Sequence, residues 1–199
     1  MYCKGAGDYV FFKQTFDMSI FYFLNCFFLY SFFGWIFECI VMTYENRAIT
    51  NRGFIRGPFC TIYGLGALSV YFILQPISHN YIATFVCGMT MATLLEIVTA
   101  KIMTRLFGDF WWNYDNKPFN YRGVICLESS LCWGAMSLCT FIIFQPIIEA
   151  IVNTYYLSYG KPVAVVLMLI YILDFSTSFR RAVKANNVEN DIPVNTVSN

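Results

Sequence analysis

No Asp, Glu, Lys or Arg occurs at 18–37, 57–95 or 129–148, runs of 20, 39 and 20 residues. A helix needs about 20 mostly apolar residues to cross the hydrocarbon core of a bilayer. The 39-residue run is broken by Gln75-Pro76-Ile77-Ser78-His79-Asn80, so it reads as two helices joined by a short polar turn. A further apolar run near 161–180 holds Asp174 alone in its interior. Spans are expected near 18–44, 60–77, 81–105, 129–150 and 158–180. A bilayer demands that each backbone polar group be satisfied within its own segment. The expected fold is therefore all-α: a polytopic membrane helix bundle of about five transmembrane helices.

Composition agrees. Charged residues make up 13% of the chain and hydrophobic ones 58%, with a mean hydropathy of +0.55. A soluble domain carries about 25% charged residues, so this chain could not clothe an ordinary globular surface. That excludes a disordered chain, a basic nucleic-acid binder and a soluble enzyme of normal make-up. Cys26, Cys39, Cys87, Cys132 and Cys139 lie in apolar runs, no CxxC pair occurs and His79 is the single histidine. No metal site and no cofactor are expected.

The basic residues orient the chain. The loop at 45–59, the loop at 106–128 and the C-terminus share one side, with Arg47, Arg52, Arg56, Lys101, Arg105, Lys117, Arg122, Arg180, Arg181 and Lys184, ten of 13. Lys4, Lys13 and Lys161 fall on the other. The expected location is the cell membrane, multi-pass, with the N-terminus outside and the C-terminus cytoplasmic. Residues 1–17 form an external segment and 181–199 a cytoplasmic polar tail. Lys4, Asp8, Lys13 and Asp17 dilute the N-terminus, and the first span is too long for a cleavable signal.

An internal repeat lies at an offset of 70. Residues 52–77 and 122–147 share nine of 26 positions without gaps, among them Arg52/Arg122, Gly53/Gly123, Gly64/Gly134, Gln75/Gln145 and Pro76/Pro146, with Tyr63 opposite Trp133. The bundle at 18–180 then divides into two parallel helix–loop–helix repeats, 18–77 and 81–150, and a fifth helix at 158–180. Gly64 and Gly134 are expected to let helices approach closely, and each Gln-Pro to end its helix.

Three carboxylates enter apolar spans: Glu38, Glu96 and Asp174. Each costs roughly 2.5–3.5 kcal/mol at mid-bilayer, so partners are expected. The expectation is one inward-facing cluster of Glu38, Arg52, Arg56, Glu96, Arg122 and Glu128, either a substrate or ion site or a set of ion pairs that fixes helix register. Asp174, Asp115, Trp112, Tyr63 and Trp133 are secondary candidates. Glu38 to Arg52 spans 14 positions and Glu96 to Arg122 spans 26, so the second repeat holds 12 extra residues, within FGDFWWNYDNKPFN (107–120). They read either as an aromatic belt at the headgroups or as a cap over the bundle mouth, with Asp109 and Asp115 as its charged contacts. No GxxxxGK[ST] and no HExxH occurs, so the chain is not itself an ATPase, and an enzyme is the less favoured reading.

GWIFE (34–38), NRGFIRGPFCTIYGLGAL (51–68), WWNYDNKPFNYRG (111–123) and ICLESSLCWG (125–134) together resemble the CmpB-like, ABC-transporter type IV family of bacterial integral membrane proteins, over about 15–180. The resemblance implies the permease half of an ATP-driven transporter, a separate ATPase subunit docking on the 45–59 and 106–128 loops, and a homodimer as a further candidate partner, with no nucleic acid. A membrane-embedded enzyme or lipid-handling protein using the same cluster is the alternative, and a non-transporting scaffold or regulatory subunit the second.

Overall fold

The structure is a computed structural model that describes residues 20–48 and 54–191. Arg52, the segment at 1–17 and the tail beyond 191 lie outside the described residues. Among those described, helices run in the order α1 (Ile20–Asn46), α2 (Thr61–Leu74, extended by a 3₁₀ turn at Gln75–Ile77), α3 (Tyr81–Phe107), α4 (Leu127–Cys139), a π-helical turn (Thr140–Phe144) and α5 (Gln145–Asp191). No strand forms among them; Tyr121 and Ile125 make an isolated bridge.

Local chemistry sets the boundaries. Pro76 sits inside the 3₁₀ turn that ends α2. The Asn80 side chain accepts from the Ala83 N–H at 3.1 Å and opens α3, an N-cap worth about 1 kcal/mol. Gly108, at φ +84°, closes α3 in the left-handed conformation. Cys126 and Ser129 cap α4 reciprocally, the Ser129 N–H donating to Cys126 Sγ at 3.3 Å and the Cys126 N–H to Ser129 Oγ at 3.2 Å.

The second Gln-Pro pair departs from expectation. Gln145-Pro146 does not end its helix: helical backbone continues from Leu127 to Asp191. Pro146 lacks an N–H and crowds the turn before it. The π turn at Thr140–Phe144 widens the backbone there and lets the helix run on.

This long helical stretch is not a rod. The Tyr30 hydroxyl donates to Gln145 Oε1 at 2.6 Å, while the Tyr171 ring lies 5.9 Å from that of Phe28. The 26 residues from 145 to 171 would span about 39 Å in a straight helix, yet both ends meet the same turn of α1. The first arm runs antiparallel to α1, with Asn153 at Tyr22. The second returns along it, from the Gly160 carbonyl at Asn25 to Asp174 at the loop before α2. Pro162 lies at the reversal, and a Cβ on Gly160 would collide with the Tyr156 ring.

α1 is the hub, packing against α2 and α5, while α3 packs chiefly on α4. Tyr22, Cys26, Phe27, Phe28 and Tyr30 of α1 form a buried core with Ile55, Phe59, Leu68, Ile148 and Val152. Apolar side chains also cover the outside, among them Ile82, Leu94, Val98, Leu157 and Leu173. Three helical stretches are long and apolar enough to cross a membrane: Ile20–Tyr44, Tyr81–Phe107 and Leu127–Ala185. Thr61–Ile77 is a shorter apolar helix.

Candidate functional site: two carboxylates joined by an aromatic pair

Gly34 lies one turn before Glu38 on α1. A Cβ there would overlap the Tyr63 side chain, so the first turn of α2 rests directly on the α1 backbone. This close approach carries the Tyr63 hydroxyl to Glu38 Oε1 at 2.6 Å. Glu38 is half-buried and Glu96, on α3, is 3% exposed. Glu96 Oε2 accepts from Trp133 Nε1 on α4 at 3.1 Å, and its Oε1 accepts from the Tyr114 hydroxyl at 3.1 Å. The Tyr63 and Trp133 rings meet at 5.5 Å between centroids, linking the two carboxylates through one aromatic pair.

The α3–α4 contact that holds Trp133 in place depends on small residues. Gly134 packs against the Phe85 ring and Gly88 against Ser137, while Thr93 Oγ1 donates to Ser130 Oγ at 3.0 Å. Gly64 likewise packs against Ser31 and Phe27. Gly64 and Gly134 thus stand at close helix approaches, as their positions implied.

Magnitudes explain the choice of partners. A hydrogen bond to a charged group contributes about 1.5–3 kcal/mol, so two at Glu96 offset the roughly 2.5–3.5 kcal/mol of placing a carboxylate in a bilayer. Indole and phenol donors do so without burying a second charge.

Tyr114 comes from the loop at 108–126, which is folded on itself. Trp112 Nε1 donates to the Val124 carbonyl at 2.8 Å, and the Tyr114 N–H to the Gly123 carbonyl at 2.9 Å. Asn120 Nδ2 donates to the Asp115 and Lys117 carbonyls at 3.1 and 2.9 Å. Gly123, at φ +66°, is pressed by the Asn113 and Asp115 side chains, and Phe119 and Arg122 also take positive φ, 53° and 54°. Burial, then the charge of Glu96 and the hydrogen bond to it, push the Tyr114 hydroxyl well above the usual tyrosine range. It therefore stays protonated and remains a donor.

The expected cluster of six is only partly assembled. Glu38 and Glu96 come together, with Tyr63 and Trp133 between them. Arg56 is exposed and donates its backbone N–H to Asp174 Oδ1 at 3.3 Å. Arg122 is exposed, its guanidinium 5.5 Å from the Tyr121 ring centre. Glu128 is exposed and pairs with Lys117 at 3.1 Å. Long basic side chains reach water easily, and burying one beside a carboxylate costs the solvation of both charges. Asp174 Oδ2 also accepts from the Gly57 N–H at 2.5 Å, so this carboxylate holds the loop before α2. Asp109 accepts from its own neighbour, the Phe110 N–H, at 2.7 Å, and Asp115 packs on Gly123. The loop's contact with the carboxylates is made by Tyr114 instead.

Tyr114 was invisible to charge counting, because a neutral phenol leaves no mark in that pattern. Glu149 was also passed over, since it closes an uncharged run. Its Oε1 accepts from Gln145 Nε2 at 2.6 Å, and the same Gln145 side chain accepts from Tyr30, in the half of the bundle away from the loops. In that half Asn25 accepts from the Tyr155 hydroxyl at 2.9 Å and donates to the Gly160 carbonyl at 2.8 Å. Among the described residues no group of three or more His, Cys, Asp or Glu could hold a metal ion.

Long apolar helices, an apolar exterior and carboxylates satisfied internally by neutral donors define a membrane protein built from helices. Residues 25–179 match the family described as Putative ABC-transporter type IV, and the chain belongs to that family. At family level it is a transporter-like membrane component. No curated protein and no solved structure matches the chain.

Proposed function

We propose that this chain is the membrane-spanning, permease-like component of a transporter driven by a separate ATPase subunit, and that Glu38 and Glu96 belong to its substrate or ion site. The observation that carries this reading is the carboxylate pair, held inside the bundle by Tyr63, Trp133 and Tyr114, in a chain that matches a transporter family over 25–179. No basic side chain meets either carboxylate among the described residues, so the pair suits a cationic or hydrogen-bond-donating group. The sequence carries no phosphate-binding GxxxxGK[ST], so nucleotide hydrolysis belongs to the partner.

In this reading the chain crosses the cell membrane five times, the reversal at Gly160–Pro162 separating the fourth and fifth crossings. The loops at 45–59 and 106–128 face the cytoplasm, where ten of 13 basic residues fall. The two units are parallel repeats: each sets a glutamate of its first helix against the aromatic residue of its second, Glu38 with Tyr63 and Glu96 with Trp133. A homodimer would complete the two-permease arrangement that such a transporter requires.

The test is purification of the tagged chain in mild detergent, with mass spectrometry for proteins and lipids. A co-purifying protein that carries a phosphate-binding loop supports the reading. Absence of an ATPase together with a stoichiometric lipid overturns it in favour of lipid handling through the same carboxylates.

A further inference from the structure

The loop at 108–126 has two unlike sides. One side is braced by Trp112, Asn120 and Gly123 within the loop and by Lys117 against Glu128 at the start of α4. It holds two non-glycine residues, Phe119 and Arg122, in the left-handed region, a conformation that costs about 1 kcal/mol or more per residue. A loop that bears such strain is held to one shape by its surroundings. The other side faces the bundle, where the Trp111 ring packs on Phe54 and the Tyr114 hydroxyl donates to Glu96 Oε1. Glu96 is 3% exposed, and so is Cys126, the last residue of the loop.

We propose that residues 108–126 form a lid over the Glu96 carboxylate, and that the hydrogen bond from Tyr114 to Glu96 Oε1 is its latch. A rigid unit hinges at its ends: Gly108 at φ +84° on the α3 side and Cys126, the cap of α4, on the other. Lifting the lid breaks the Tyr114–Glu96 hydrogen bond and the exposed Lys117–Glu128 pair, and uncovers Glu96 Oε1 together with the Cys126 thiol. The inference assigns a gate to the site proposed above and rests on Glu96 belonging to that site. Its geometry does not require an ATPase.

Cys126 is a built-in reporter. The purified full-length chain in detergent is treated with a water-soluble maleimide, and the rate at Cys126 is read by peptide mass spectrometry. Tyr114→Phe removes the latch and leaves the ring, so labelling of Cys126 should rise about tenfold or more, the change that accompanies loss of a hydrogen bond to a charged group. Tyr155→Phe removes a hydrogen bond of similar length in the opposite half and should leave the Cys126 rate unchanged. Glu96→Gln, which keeps an acceptor but removes its charge, should give a smaller rise and serves if Tyr114→Phe does not fold. An unchanged Cys126 rate in both latch variants, or an equal rise in Tyr155→Phe, overturns the latch. Failure of an ATPase to co-purify would leave these rates untouched, so the two readings fail separately.

Discussion

The Tyr63 hydroxyl donates to Glu38 Oε1 across 2.6 Å, tying the start of α2 to the loop end of α1. Its ring rests on Trp133, which donates to Glu96 from the other helical pair. One phenol therefore connects the two halves of the bundle at the level of both carboxylates. Loss of any member of this chain should be felt according to how dry its carboxylate is.

Trp133→Phe keeps the ring contact with Tyr63 and deletes the indole donor. Glu96 is 3% exposed, so water cannot replace that donor, and the substitution should cost about 1.5–3 kcal/mol. Tyr63→Phe should cost less, because Glu38 is half-buried and can rehydrate. Paired thermal melts in one detergent decide; equal shifts would mean that Glu96 is not desolvated.

Gly34→Ala puts a methyl where the Tyr63 side chain already lies. Forced displacement of α2 should destabilise by about 1–3 kcal/mol. Gly66→Ala is the matched control, its added Cβ meeting Leu95 Cδ2 at an ordinary 3.5 Å, and it should be neutral or stabilising through helix propensity. The same melts report both.

Asp174→Ala leaves the Arg56 and Gly57 N–H groups without their acceptor. The expected loss is about 1–3 kcal/mol, confined to the approach to α2. Hydrogen exchange at 54–60 should quicken while α3 stays protected; uniform acceleration across the chain would contradict a local role.

Spin labels at the exposed positions Ile147 and Leu169 measure the reversal in α5. A straight helix would separate these 22 residues by about 33 Å. The folded-back arms should give a clearly shorter distance by double electron–electron resonance, and a value near the straight-helix length would rule the reversal out.

Tyr114 has a folded pKa above its unfolded value, which is about 10, because of burial first and the Glu96 charge second. A group raised in this way contributes fully below the unfolded value and loses its contribution as pH rises through the folded one. Loss of the phenol proton should therefore not release the Tyr114 contact below about pH 10. Ultraviolet titration should show no tyrosinate from Tyr114 in that range, so Tyr114→Phe and the native chain should titrate alike there.

Much of the architecture was readable in one dimension. Uncharged runs located α1, α2 and α3 to within a few residues, because the cost of burying each side chain in a bilayer adds along the segment, while the expected fourth and fifth spans fell within one continuous helical stretch. Glu38 and Glu96 stood out for the same reason. Tyr63 and Trp133 were noticed through the repeat, while their role as donors was not. The expected arginine partners failed because a charge count cannot weigh solvation: Arg56 and Arg122 gain more from water than from a buried carboxylate. Pro146 misled in a similar way, since a π turn can absorb what would otherwise end a helix.

The sequence by itself determined that the chain is all-helical with stretches apolar enough to cross a membrane, which carboxylates interrupt those stretches, and which family the chain belongs to. Only the tertiary structure decided who meets whom. Contacts at Gly34 and Gly134 set the helix crossings, the loop at 108–126 folded so that Tyr114 points inward, and the reversal at Gly160 brought Asp174 to the entrance of α2. The reason is physical. Partition into a membrane is a property of each segment, whereas a hydrogen bond to a buried carboxylate requires two distant segments to arrive within about 3 Å of each other.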